Sequence, residues 1–290
     1  MTRRVMAGAV LVPALAAGAG VGVALAAPAG ANDPGDPLYG DINGDGWEDR
    51  AVLAVDPATS RCAVSVQLGL PGGSDFGVPT TYYYPAPGTG PWCPDMGVVV
   101  DLGGDGVAEL VLAWFNGRPP GVDQDLLVLE NFVPAGGFTA IYQPSSIGTA
   151  HFDTDGLVDL WEYTDQGDGF QTWLNTPSGD LVPGPLQVPF AGLGPYEFAD
   201  FDEDGASDIA FPYAERYDPA NPTLPGMGVA VALDDGTIVD LEGADLTYGW
   251  DAIVTDVNHD GHTDVRSINN DTGVVRTFLG NGAGLFTLAK

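Results

Sequence analysis

Asp200-Phe201-Asp202-Glu203-Asp204-Gly205-Ala206-Ser207-Asp208 reads as a loop built to hold a cation. Oxygen-bearing side chains stand at positions 1, 3, 5 and 9, and Gly stands at 6. Calcium takes six to eight oxygens at about 2.3–2.6 Å, and alternate residues of a tight loop can turn theirs inward around the sharp bend that Gly allows. The pattern recurs four more times, as Asp41-Ile-Asn43-Gly-Asp45-Gly46-Trp-Glu-Asp49, Asp101-Leu-Gly103-Gly-Asp105-Gly106-Val-Ala-Glu109, His151-Phe-Asp153-Thr-Asp155-Gly156-Leu-Val-Asp159 and Asp256-Val-Asn258-His-Asp260-Gly261-His-Thr-Asp264. One such loop in an acidic chain is a weak signal. Five in register predict a repeated calcium site.

The loops begin at residues 41, 101, 151, 200 and 256, a spacing of 49–60 residues. Repeats of that length mean propeller blades or another stacked unit. The flanks agree. Apolar runs precede the loops (96–100, 196–199, 250–255) and β-forming runs follow them (110–115, 160–163, 209–213). A third run appears at 63–68, 126–130, 170–174, 227–233 and 274–279, and a fourth at 80–84, 138–142, 186–190, 237–241 and 285–289. Turns rich in Gly, Asp, Asn and Pro separate them, and no segment beyond the first thirty residues sustains a helical period. The expected fold is all-β: a β-propeller of five four-stranded blades, with a calcium loop between the first and second strand of each blade. An open, partly wound array is the structural alternative.

Residues 1–31 read as an export signal. Arg3 and Arg4 precede an apolar run over 5–27, and small residues offer cleavage after Ala26 or after Ala31. An uncleaved membrane anchor is the alternative, since the run is long enough to span. Residues 32–37 are then a short linker, and 38–290 carry the five repeats. The expectation is a protein secreted or held at the cell surface, bacterial, with no membrane insertion once the signal is removed. Cys62 and Cys93 are the two cysteines, and an even count in an oxidising compartment suggests one disulfide.

The net charge is −31, with 40 acids against 9 Lys and Arg, so the chain repels nucleic acid and anionic membranes. A hydrophobic share of 44% argues against disorder. Many acids are concentrated in the five loops, where crowded carboxylates repel one another and need a counter-ion.

The loops resemble the FG-GAP/VCBS repeats, whose pattern is strand, Asp-x-Asn/Asp-x-Asp-Gly-x-x-Asp, strand, and whose members include the propellers of integrin α-chains. The resemblance runs from about Leu38 to the C-terminus. It implies calcium on Asp41, Asn43, Asp45 and Asp49 in loop one, on Asp200, Asp202, Asp204 and Asp208 in loop four, and on Asp256, Asn258, Asp260 and Asp264 in loop five. In loop two it implies Asp101, Asp105 and Glu109, with Gly103 lacking an oxygen. In loop three it implies Asp153, Asp155 and Asp159, with His151 offering a nitrogen that suits calcium poorly. Loops one, four and five are therefore expected to bind more tightly than two and three. Backbone carbonyls near Trp47, Val107, Leu157, Ala206 and His262 are expected to complete the shells, by analogy with position 7 of other calcium loops.

An EF-hand needs Glu at position 12 between helices, and only loop three has it, at Glu162. The chain has no Gly-x-Ser-x-Gly elbow, and its histidines, His151, His259 and His262, all lie in the loops. Paired carboxylates for glycoside chemistry stay open, because their separation is invisible in a sequence. The expected function is a calcium-binding module for binding or adhesion to a glycan or protein ligand. The alternative is a carbohydrate-active hydrolase or lyase on a propeller scaffold. Of Tyr82, Tyr83 and Tyr84 at least one must face outward, because strand side chains alternate. The adjoining loop 85–94, pinned by a Cys62–Cys93 bond, is either a rigid structural loop or the ligand-contact surface.

Overall fold

The computed structural model describes residues 29–73, 75–164, 169–188, 196–213, 227–245 and 250–290, so the expected export segment falls almost wholly outside them. A short strand, β1 (Ala29–Asn32), comes first. Sheet one follows as β2 (Leu38–Gly40), β3 (Asp49–Val55), β4 (Cys62–Gln67) and β5 (Thr80–Tyr83). Sheet two holds β6 (Met96–Val100), β7 (Glu109–Ala113), β8 (Leu126–Glu130) and β9 (Val133–Phe138). Sheet three holds β10 (Ser146–Ala150), β11 (Asp159–Thr164), β12 (Gly169–Asn175) and β13 (Leu181–Val188). Sheet four holds β14 (Glu197–Ala199), β15 (Asp208–Tyr213), β16 (Met227–Ala232) and β17 (Ile238–Asp245). Sheet five holds β18 (Trp250–Thr255), β19 (Asp264–Asn269), β20 (Val275–Gly280) and β21 (Phe286–Leu288).

In every sheet the four strands lie in chain order and pair antiparallel. The Asp-rich loops join the first strand to the second in all five. The fold is thus all-β, as the spacing predicts; among the described residues the one helical turn is a 3₁₀ turn at Gly90–Trp92. β1 does not join sheet one. It pairs with β10 through Ala29 opposite Thr149 and Asn32 opposite Ile147, and it covers that edge of sheet three.

Consecutive sheets pack face to face through four apolar clusters. Leu38, Val64 and Val66 of sheet one meet Leu110, Leu112 and Leu129 of sheet two. Met96, Val98 and Val111 of sheet two meet Ile147, Leu160 and Trp173 of sheet three. Trp161 and Phe170 of sheet three meet Ile209, Phe211 and Tyr213 of sheet four. Ala210, Val229 and Val231 of sheet four meet Ala252 and Val265 of sheet five. The pleat explains this: in β15, Ile209, Phe211 and Tyr213 point to one neighbour and Ala210 to the other, so the whole strand is buried. Among the described residues no cluster holds both the first and the fifth sheet, and no closed ring is seen.

Two expected strands moved. The fourth run of unit two, expected at 138–142, lies at Val133–Phe138. Asn131 and Phe132 both take positive φ (48° and 63°), so a two-residue turn closes the hairpin earlier than the polar residues suggest. The fourth run of unit three, expected at 186–190, begins at Leu181 and passes through Pro183 and Pro185. β13 is an outermost strand, where a missing N–H is tolerated.

The two cysteines are joined. Cys62, at the start of β4, is bonded to Cys93, just after the 3₁₀ turn. Closing a loop of 31 residues contributes roughly 3–4 kcal/mol in a chain-entropy estimate.

Candidate metal centre

Each Asp-rich loop is shaped by its own backbone. The position-6 glycines Gly46, Gly106, Gly156, Gly205 and Gly261 all take φ between +85° and +99°, where a Cβ is strained. Position 4 is also left-handed in loops one, two, four and five, with Glu203 and His259 accepting the strain at φ of 59° and 61°. Thr154 of loop three, β-branched, does not adopt it.

Position 9 is a clamp. Asp49, Asp159, Asp208 and Asp264 are fully buried. One carboxylate oxygen accepts from the position-2 N–H, as from Ile42, Phe152, Phe201 and Val257. The other accepts from an N–H just past or at the end of the third strand, Gly69, Asn175, Asp234 or Gly280, at 2.7–2.9 Å. Glu109 in loop two makes the first bond, to Leu102 N–H at 2.9 Å. An aspartate at position 9 therefore ties the loop to its own sheet with two backbone hydrogen bonds, and Glu109 with one.

Positions 1, 3 and 5 face the loop interior. Asp200 accepts from the N–H groups of Asp204 and Gly205, and Asp41 and Asp101 do the same in their loops. Asp256 accepts from Gly261 N–H. Position 5 accepts from the position-7 N–H in all five loops at 2.8–3.0 Å.

Loop four gathers its acids most closely. Carboxylate oxygens of Asp200, Asp202 and Asp208 lie within 4.8 Å of one another, as do those of Asp202, Asp204 and Asp234. Asp234 lies in the turn after β16 and its N–H is the one that caps Asp208. Burial pushes the Asp208 carboxyl up to about 8. Burial, then the charges of Asp204 and Asp202, push Asp234 up to about 6. Asp200 and Asp202 are raised as well, chiefly by burial. The Oδ1 atoms of Asp202 and Asp256 are buried and accept no hydrogen bond. A buried carboxylate oxygen without a donor is costly, and a hard cation removes that cost. The donor set of loop four is all oxygen, which fits calcium.

The other predicted sets are less convergent. Among the described residues, Asp41/Asp45/Asp49, Asp101/Asp105/Glu109, Asp153/Asp155/Asp159 and Asp256/Asp260/Asp264 do not bring three carboxylates within that distance. Loops one and five add Asn43 and Asn258, whose Oδ1 atoms accept from Asp45 and Asp260 N–H. In loop three, His151 bonds through Nδ1 to the Leu157 carbonyl at 2.7 Å. That N–H sits on the position-7 oxygen that the sequence assigns to the cation.

The loops also bond to one another. Ala108 N–H of loop two donates to the Asp41 carbonyl, and Ser207 N–H of loop four donates to the His151 carbonyl. Asn175 reaches back to loop two, donating to the Asp101 carbonyl and accepting from Gly103 N–H. Glu203 of loop four pairs with His262 of loop five, which raises the imidazole pKa. The sequence reading missed Asp234, Asn175 and this pair. Asp234 is 26 residues from Asp208, inside an Asp-Asp-Gly stretch that signals only a turn. Outside the loop interiors, Glu162 is fully buried with Oε2 on Trp173 and Ile141 N–H groups, and burial pushes it up to about 8.

No family model matches the chain, and no curated protein matches it. Among solved structures, one similar to it is described as "Crystal structure of the V. cholerae biofilm matrix protein Bap1", at 13% identity and a TM-score of 0.29, over 91% of this chain and 60% of that one. The chain spans three fifths of the length of that protein. An overlay so loose carries neither fold nor function across. No helix among the described residues is long and apolar enough to cross a membrane.

Proposed function

We infer that this chain is an exported, calcium-stabilised binding module of the FG-GAP/VCBS kind, acting at the cell surface or outside it on a glycan or protein ligand. The export signal lies within residues 1–31 and is cleaved after Ala26 rather than Ala31, so that β1 stays with the mature chain; 32–37 are the linker, and 38–290 the five repeats, whose sheets are the blades of a propeller-type array. Calcium sits in loop four on Asp200, Asp202, Asp204 and Asp208, with Asp234 beside them. Loops one and five use Asp41, Asn43, Asp45 and Asp49, and Asp256, Asn258, Asp260 and Asp264. Loop two, short of one oxygen at Gly103, binds more weakly through Asp101, Asp105 and Glu109. Loop three is closed by His151.

The observation that carries this reading is loop four: two overlapping carboxylate triads with a buried, donorless Asp202 oxygen between them. Such a cluster holds its charge only with a counter-ion. Metal binding to it is folding free energy, and calcium sites of extracellular modules work at about 10⁻⁴–10⁻³ M. The test is thermal unfolding of the mature protein with calcium and with chelator, alongside metal analysis. Calcium is expected to raise the melting temperature and to copurify. A melting temperature indifferent to chelation, with no bound calcium, ends the reading. A glycan array on the calcium-loaded protein, with captured sugars recovered intact, tests the binding half.

A further inference from the structure

A cleft of about 480 Å³ opens where sheet one meets the connection to sheet two, away from the Asp-rich loops. Leu53, Val55, Pro91, Trp92, Asp95 and Asn116 line it. Trp92 keeps 40% of its surface exposed although its backbone is fixed on every side. The next residue, Cys93, is in the disulfide. Trp92's own carbonyl accepts the indole N–H of Trp114 at 2.9 Å. Gly90 N–H donates to the Ser60 carbonyl, and Cys93 N–H donates back to Gly90. A large aromatic held out into solvent on so rigid a frame is preorganised for a partner.

The polar wall is equally defined. Asp95 accepts from Phe115 N–H at 2.8 Å and from the Asn116 carboxamide. That bond orients Asn116 and leaves it offering a carbonyl oxygen and a second N–H. We propose that this cleft binds one pyranose ring of a neutral saccharide, its C–H face on Trp92 and its hydroxyls on Asp95 and Asn116. The volume suits a ring and its linkage atoms. An apolar side chain would cover the Asn116 carbonyl oxygen and second N–H without giving them partners. An ammonium, quaternary or not, accepts no hydrogen bond, so it leaves the second Asn116 N–H unpaired, whereas a hydroxyl both donates and accepts. A net charge of −31 disfavours uronic or sulfated sugars. The proposal rests on the reading of the chain as a glycan-binding module and names its site.

The test is saturation-transfer NMR and calorimetry of the mature, calcium-loaded protein against methyl glycosides of neutral hexoses, with tetramethylammonium as the competing probe. Binding of at least one hexoside in about the millimolar range is expected. Trp92→Ala should weaken it at least about tenfold, Trp92→Phe by a smaller factor, and Asn116→Ala by several-fold. Asn116 is exposed and serves as the variant least able to disturb folding; an unchanged melting temperature checks each one. Sugar binding untouched by Trp92→Ala and Asn116→Ala overturns this site while the module reading survives. Saturation by tetramethylammonium and by no hexoside overturns the ligand class. A chain that shows the calcium response yet binds no neutral hexoside overturns the site and leaves the metal reading intact.

Discussion

Loops three and four share a length, a glycine and a buried position-9 aspartate, yet they are closed by opposite means. In loop four each oxygen position of the pattern, 1, 3, 5 and 9, is an acid, position 4 is left-handed, and an oxygen of Asp202 is left buried without a donor. In loop three His151 replaces the first acid and bonds to the Leu157 carbonyl, and Thr154 keeps position 4 out of the left-handed region. An internal N–H does in one turn what a cation is inferred to do in the other. The same framework of backbone bonds can thus be completed from inside or from solution, and only the second way makes stability respond to calcium.

The largest effect is expected at the clamp the two loops share. Asp208→Ala strips two backbone N–H groups of their acceptor, and so does Asp159→Ala. Each should lower stability in urea by about 3–5 kcal/mol in chelator. In calcium, Asp208→Ala should lose more than Asp159→Ala; equal losses in both buffers would break the contrast.

The pH dependence separates them next. Burial pushes Asp208 up to about 8 and Asp159 up to about 6, from an ordinary 3.8. Without metal, the folded chain holds these protons more firmly than the unfolded chain. The stability they contribute is whole below about pH 4 and falls as pH rises to the folded value. The Asp159 share is gone by about pH 6, and the Asp208 share keeps falling to about pH 8, by about 3 kcal/mol over that last two-unit segment. In chelator, Asp208→Asn should therefore flatten the segment between pH 6 and 8, while Asp159→Asn should not. Identical slopes for the two variants would sink the assignment.

Calcium removal comes third. At a concentration about a hundredfold above the dissociation constant, one site adds roughly 2.7 kcal/mol. Asp204→Ala should erase more of the chelator-sensitive melting shift than Asp105→Ala or Asp155→Ala. The smallest effect sharpens the pair: His151→Asp should lower stability by about 1 kcal/mol in chelator, through the lost bond to Leu157, and recover it in calcium. Calorimetric titration of that variant should count one more calcium than the parent.

The loops and their place between first and second strands were legible because a fixed order of oxygens around a glycine is a local signal. The disulfide was legible because only two cysteines exist. What escaped depended on neighbours. Pro183 and Pro185 look like strand breakers until β13 is known to lie at an edge. Phe132 is not a turn residue by type, yet it takes positive φ, with its ring stacked on Tyr82 at 4.0 Å between ring centres. Asp234 and Asn175 act across gaps of 26 and 74 residues, which no local pattern encodes. Whether the array closes into a ring was not legible, because repeat number does not fix how the last sheet meets the first.

One strand sets a practical boundary for anyone expressing the protein. β1 lies ahead of the repeats and pairs with Thr149 and Ile147, while Asn32 donates to the Gly97 carbonyl. A truncation begun at Leu38, where the repeats start, would strip that cover from β10 and leave a row of amides and carbonyls open to another molecule's strand. Retaining Ala29–Asn32 keeps the edge sheltered.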